Sequence, residues 1–180
     1  LTAETLSLSE TVSGTSNVII EVEAGTTASL AGLTATTFTS GNDTLTVNGN
    51  SGNETITGPN IASTILGGVG SDTLTGGTKG DTLSGGAGSD TLSGGTGNDT
   101  YLFNTNDVDT GESISESASG GTDTISIITT TDFTNLSNSS LDEIEFINFG
   151  GASQTATFTG AQLTAETLSL SETVSGTSNV

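Results

Sequence analysis

Four acids in this chain stand nine residues apart: Asp72, Asp81, Asp90 and Asp99. Each closes the same phrase, in GGVGSDTLT (67–75), GGTKGDTLS (76–84), GGAGSDTLS (85–93) and GGTGNDTYL (94–102). So short a period constrains the fold strongly, because every copy must make the same turn and the same short strand. The glycine-rich six residues form the turn. The next three, TLT or TLS, form a strand whose middle residue (Leu74, Leu83 or Leu92) points inward while its neighbours point out. Upstream the register continues in worn form, with Ser63 in the acid's place in GPNIASTIL (58–66) and Glu54 in GNSGNETIT (49–57). Val47 and Asn48 then interrupt it before SGNDTLT (40–46), which carries Asp43, and GGTDTIS (120–126) is a partial echo around Asp123.

A second recurrence is longer. Residues 1–18, LTAETLSLSETVSGTSNV, return letter for letter at 163–180. The chain therefore reads as one unit of a tandem array plus the start of the next; a deliberately duplicated terminus is the alternative. The expected division is an N-terminal β flank (1–37), the repeat block (38–102), a closing β segment (103–162) and the next unit's beginning (163–180). In the flanks LSLSE (6–10), VIIEVE (18–23), TISII (124–128), EIEFINF (143–149) and TATFT (155–159) have the two-residue alternation and β-branched content of strands. Residues 132–142 are the place for a short helical turn. The fold class is all-β.

Charge decides what such a ribbon needs. Twenty-one acids face the single base Lys79, for a net charge of −20. A compact state would store like-charge repulsion unless cations arrive from solution. No basic patch exists to displace counterions from nucleic acid or to meet an anionic membrane surface, and no long apolar run suggests insertion. Cys and His are both absent, so no disulfide staples the fold and transition-metal sites lack their usual ligands. Calcium suits the remaining donors, since it takes six to eight oxygens from carboxylates and carbonyls.

These residues resemble the RTX, or haemolysin-type, calcium-binding repeat GGxGxDxUx, strongly over 67–102 and weakly over 40–66. The resemblance implies a right-handed parallel β-roll (a β-solenoid), two nonapeptides per coil, with several calcium ions held between turns stacked on the same side. Asp72 would then pair with Asp90 along one edge and Asp81 with Asp99 along the other. The carbonyls of Gly68, Val69, Gly70, Gly77, Thr78, Gly86 and Gly95 would complete the shells, with Gly88 and Gly97 in equivalent places. Lys79 departs from the pattern by replacing the third glycine; its carbonyl can still serve, with its backbone strained if φ is positive there. Glu54 could join Asp72 in a poorer site, Asp43 and Asp123 are further candidate ligands, and Ser63 should leave its site weak or empty. Asp107, Asp109 and Glu112 read as solvated loop acids, with an extra ion there as the alternative, and Glu143 and Glu145 as the wet face of a strand.

The function expected is an extracellular calcium-binding structural repeat that folds on binding the ion. Identical units would stack head to tail in a cell-surface fibre, surface layer or adhesin stalk. The resemblance to RTX proteins also implies export by type I secretion, and so a secreted location. One alternative is a calcium-dependent adhesion module for ice or carbohydrate, because outward threonines in DTLT and ETIT form hydroxyl ranks and GGTGND (94–99) looks like a turn of an ice-binding adhesin. A second is the secretion and folding appendage of a larger enzyme. Catalysis within these residues is not expected, since there is no His, no Cys and no serine nucleophile elbow. Asn-x-Ser/Thr sequences at Asn42, Asn53, Asn98, Asn135 and Asn138 read mostly as by-products of the turns.

Overall fold

A computed structural model describes residues 7–8, 15–35, 43–164 and 169–172. Residues 40–42 and most of the recurring terminal segment lie outside the described residues. Over the nonapeptides each coil is two repeats long, with Thr64 paired to Thr82 and Thr73 to Thr91. Each coil lays down two strands, one on each of two parallel sheets. The first sheet stacks Asn17–Glu21, Thr44–Ser51, Thr64–Val69, Thr82–Ala87, Thr100–Phe103, Thr124–Ile127, Phe146–Phe149 and Ser169–Glu172. The second stacks Thr27–Ser29, Thr55–Thr57, Thr73–Gly77, Thr91–Gly95 and Ser113–Ile114. Neighbouring strands run parallel throughout the described residues, and the fold is an all-β solenoid of the β-roll kind. Among the described residues the one helical turn is a 3-10 segment, Asn138–Leu141, inside the stretch where the sequence suggests it.

Register explains the interior. On the first sheet Val47, Ile65, Leu83, Tyr101, Ile125 and Ile147 stand one above another, and on the second Ala28, Ile56, Leu74, Leu92 and Ile114 do the same. All of them are buried. Leu74, Leu83 and Leu92 thus point inward as their place in the strand requires. Two positions further along, the next inward residue is a glycine: Gly67 and Gly85 on the first sheet, Gly76 and Gly94 on the second, each buried. A coil of this length buries one large side chain per strand and leaves the second inward position without a side chain.

The coils lengthen on both sides of the nonapeptides. Towards the N-terminus Asn17 pairs with Thr44 and Thr27 with Thr55, a reach half as long again as in the repeats. Towards the C-terminus Thr100 pairs with Thr124 and Thr124 with Phe146, again further apart than two nonapeptides. The extra residues form short third sides, Ser7–Leu8 with Thr34–Ala35 and Thr131–Asp132 with Ala156–Thr157. The first sheet nonetheless continues from Asn17 to Glu172. The strand expected at 143–149 begins only at Phe146, because Glu143 takes a positive φ of 65° that breaks extended backbone.

Candidate calcium-binding columns

Each repeat acid immediately precedes a strand, so the two strands per coil set up two columns of carboxylates. One runs Glu54, Asp72, Asp90, Glu112. The other runs Asp81, Asp99, Asp123, Glu145, with Ser63 above Asp81. Within a column, one oxygen of each acid accepts the backbone N–H of the member in the coil before it. Glu54 donates to Asp72 Oδ1 (2.7 Å), Asp72 to Asp90 Oδ1 (2.8 Å) and Asp90 to Glu112 Oε2 (2.8 Å). On the other edge Ser63 donates to Asp81 Oδ1 (2.8 Å), Asp81 to Asp99 Oδ1 (2.7 Å), Asp99 to Asp123 Oδ1 (2.8 Å) and Asp123 to Glu145 Oε2 (2.6 Å). Asp43 repeats the motif with the N–H of Ser16 (2.8 Å), and Glu54 Oε1 accepts from Gly25.

The second carboxylate oxygen carries the functional signal. Glu54 Oε2, Asp72 Oδ2, Asp81 Oδ2, Asp90 Oδ2, Asp99 Oδ2 and Glu112 Oε1 are all buried and accept no hydrogen bond. Buried polar atoms without partners are rare in native proteins, and a double column of charged ones asks for a common cause. They lie beside the inward glycines. A Cβ built on Gly85 would fall 2.1 Å from Asp90 Oδ2, and one on Gly67 2.4 Å from Asp72 Oδ2 and 2.6 Å from the carbonyl oxygen of Gly85. The second inward position is glycine because the following repeat acid occupies that volume, with a carbonyl from the next coil converging on it.

Electrostatics then closes the case for a cation. At the coil spacing of about 4.8 Å, two adjacent carboxylates repel by roughly 3–4 kcal/mol at an effective dielectric constant of about 20. Burial lifts the carboxyls of Asp72, Asp99 and Asp123 above their ordinary range, and those of Asp81 and Asp90 to about 6. Glu112 is pushed to about 8, again chiefly by burial, with the charges of Asp90, Asp107 and Asp109 adding to it. Once ionised, the columns need positive charge. Lys79, the chain's one base, is exposed in a turn and cannot neutralise two columns. The donors are hard oxygens throughout, which fits calcium and not zinc or copper.

The remaining predicted ligands sit in the turns. Gly68, Gly70, Gly86, Gly88, Gly95 and Gly97 all take positive φ, between 98° and 137°. Gly88 shows why: a Cβ there would lie 1.9 Å from the carbonyl oxygen of Gly70, so successive turns press together main chain to main chain. Val69, with its side chain 61% exposed, stacks on Ala87. Gly77 pairs with Gly95, and neither Gly77 nor Lys79 has positive φ. The turn 76–81 therefore adopts a different backbone path, with Thr78 and Lys79 exposed and no strain at Lys79. Asn50 fills the second-glycine place of the worn repeat at φ 89°, its amide donating to Glu21 Oε2 and the carbonyl of Val22.

Two sequence expectations are corrected. Glu112 is no solvated loop acid: it is 1% exposed and closes the first column below Asp90. Glu145 likewise joins the second column beneath Asp123, whereas Glu143 is exposed and outside the strand. Both were hidden because their coils are longer than two nonapeptides, which shifts them off the repeat's beat. The carbonyls beside the carboxylates also belong to first glycines such as Gly85 and Gly94, which the nonapeptide pattern alone does not single out.

A parallel solenoid whose turns present columns of carboxylates, each with one oxygen left unpartnered along the repeats, is a calcium-binding β-roll. The family described as the RTX calcium-binding nonapeptide repeat matches residues 66–101 in four copies, so this part of the chain is an RTX-type repeat block. No curated protein and no solved structure matches the chain.

Proposed function

We propose that this chain is a calcium-folded structural repeat of an extracellular protein, and that it has no catalytic role. The observation that carries this reading is the double column of buried, unpartnered carboxylate oxygens. Without cations, glycine-rich turns bearing stacked charges must bear both repulsion and a large loss of backbone freedom. With calcium the charges are neutralised, the aliphatic rows close, and binding free energy becomes folding free energy. Extracellular calcium modules bind at roughly 10⁻⁴–10⁻³ M. Such a chain would stay loose during export and fold outside. Among the described residues no helix is long and apolar enough to cross a membrane.

Tandem stacking has its own support. Ser169–Glu172 repeats residues 7–10 and adds to the first sheet beside Phe146–Phe149. At the other end Ser7–Leu8 pairs with Thr34–Ala35. One segment thus has a partner on the preceding unit and another on its own, so consecutive units would join as one continuous solenoid in a fibre, surface layer or stalk. A binding role for ice or glycan draws on the exposed threonines Thr55, Thr73 and Thr91, which stand in register on the second sheet.

Far-UV circular dichroism during a calcium titration tests the reading. At neutral pH the β signal should develop with calcium and vanish in excess chelator. A chain equally β-structured in chelator would refute it.

A further inference from the structure

We propose that Asp99, Glu116 and Asp123 form an additional divalent-cation site, outside the nonapeptide pattern, that ties the excursion 104–122 to the last regular coil. The proposal rests on the calcium-binding reading and extends it to a residue that no repeat supplies. Thr91 pairs with Ser113 and Leu92 with Ile114, so the register two positions on brings Glu116 opposite the inward glycine Gly94. A hydrogen bond fixes that placement: the N–H of Gly94 donates to Glu116 Oε1 (3.0 Å). Where the first sheet has Phe103 in the equivalent inward position, the second sheet has an acid.

Its surroundings are those of a ligand. Asp99, Glu116 and Asp123 each offer an oxygen within 4.8 Å of the others. Asp99 is 1% exposed, and its Oδ2 has no hydrogen-bond partner; Glu116 Oε2 is also buried and unpartnered. A Cβ on Gly94 would fall 2.2 Å from Asp99 Oδ2, so the unpartnered oxygen lies against the same residue that holds Glu116. A Cβ on Gly120 would sit 3.2 Å from Glu116 Oε2 and 3.3 Å from the carbonyl oxygen of Gly95, which puts a main-chain oxygen at hand. Three carboxylates and a carbonyl form a hard, strongly anionic set, the chemistry of calcium. The other oxygen of Glu116 is fixed by the hydroxyl of Tyr101, which also accepts from Gly94 N–H (2.6 Å). In the folded coil the side chain is therefore held in place by groups other than the ion.

Tyr101 makes the site addressable, because it is the chain's one tyrosine and there is no tryptophan. Terbium, which substitutes for calcium, should emit when Tyr101 is excited. In the full chain, Glu116→Gln should bind one ion fewer by native mass spectrometry and lose more than half of the tyrosine-sensitised emission. Its far-UV spectrum in saturating calcium should be unchanged. Glu116→Asp, which keeps the charge, should retain the ion at lower affinity, and it decides the matter if the Gln variant fails to fold. Asp107→Asn should leave the count alone. An unchanged ion count and emission in Glu116→Gln would overturn the site while leaving calcium-dependent folding intact. A wild-type chain that neither binds calcium nor folds with it would overturn the underlying reading instead.

Discussion

The nonapeptide coils and the coils that follow them solve one packing problem in opposite ways. Between Thr64 and Thr100 each coil is two repeats long, and its interior holds one large side chain per strand plus carboxylates set against inward glycines. Beyond Phe103 the coils lengthen, and the first sheet's inward glycine column becomes Phe103, Ile127 and Phe149, aligned in register. Phe103 meets Phe133 edge to face at 5.2 Å, and Phe133 stacks on Phe158 at 4.8 Å. Buried Gln162 caps this wider core, its amide donating to the carbonyls of Phe133 (2.7 Å) and Leu136 (2.6 Å). A narrow coil has no room for clustered aromatic rings and fills its interior with carboxylates; a longer turn makes room for a hydrophobic core.

The largest effect that would separate the two regions comes from the aromatic side. Phe103→Ala should cost about 3–5 kcal/mol of stability in saturating calcium, measured by denaturant unfolding, while leaving the number of bound ions unchanged. Loss of ions in that variant would show that the two cores are not distinct. Gly85→Ala should act the other way round. Its methyl would enter the space of Asp90 Oδ2, so the calcium midpoint should rise at least tenfold and stability fall by about 1–3 kcal/mol. Isothermal titration calorimetry would read both the midpoint and the stoichiometry.

Acid offers a milder probe. The folded carboxyls of Asp81 and Asp90 titrate near 6 and Glu112 near 8, above their unfolded values of 3.8 and 4.5. Between those limits the folded chain holds protons that the unfolded chain has released, so stability falls as pH rises. In chelator the β signal should therefore be strongest near the unfolded carboxyl values and fade as pH climbs through 6, with protons standing in for calcium. A chelated chain that gains structure as pH rises would contradict the buried columns. Ser63→Asp should have the smallest effect. It restores the missing acid above Asp81 and should add one bound ion, with a modest rise in calcium affinity.

Much of this was legible in the sequence, for a physical reason. Where coils repeat at constant length, one nonapeptide fixes the inward leucine, the outward threonines and the column of acids at once. The nine-residue beat alone does not say how many repeats make a coil; the RTX resemblance implies two, and with it Asp72 over Asp90 and Asp81 over Asp99, the pairs joined by hydrogen bonds here. Glu112, Glu116 and Glu145 escape such arithmetic, since irregular excursions separate them from their partners Asp90, Gly94 and Asp123. The ring cluster was illegible for the same cause: Phe103, Phe133 and Phe158 are far apart in sequence and meet only through the longer coils.

The strand Ser169–Glu172, seated beside Phe146–Phe149, bears on how a long assembly would stay well behaved. An open sheet margin invites neighbouring molecules to dock by backbone pairing, the usual route to aggregation. If every unit lends its opening segment to the one before, each internal seam is sealed. A polymer of any length would then offer just two vulnerable tips, and guarding those would protect the whole.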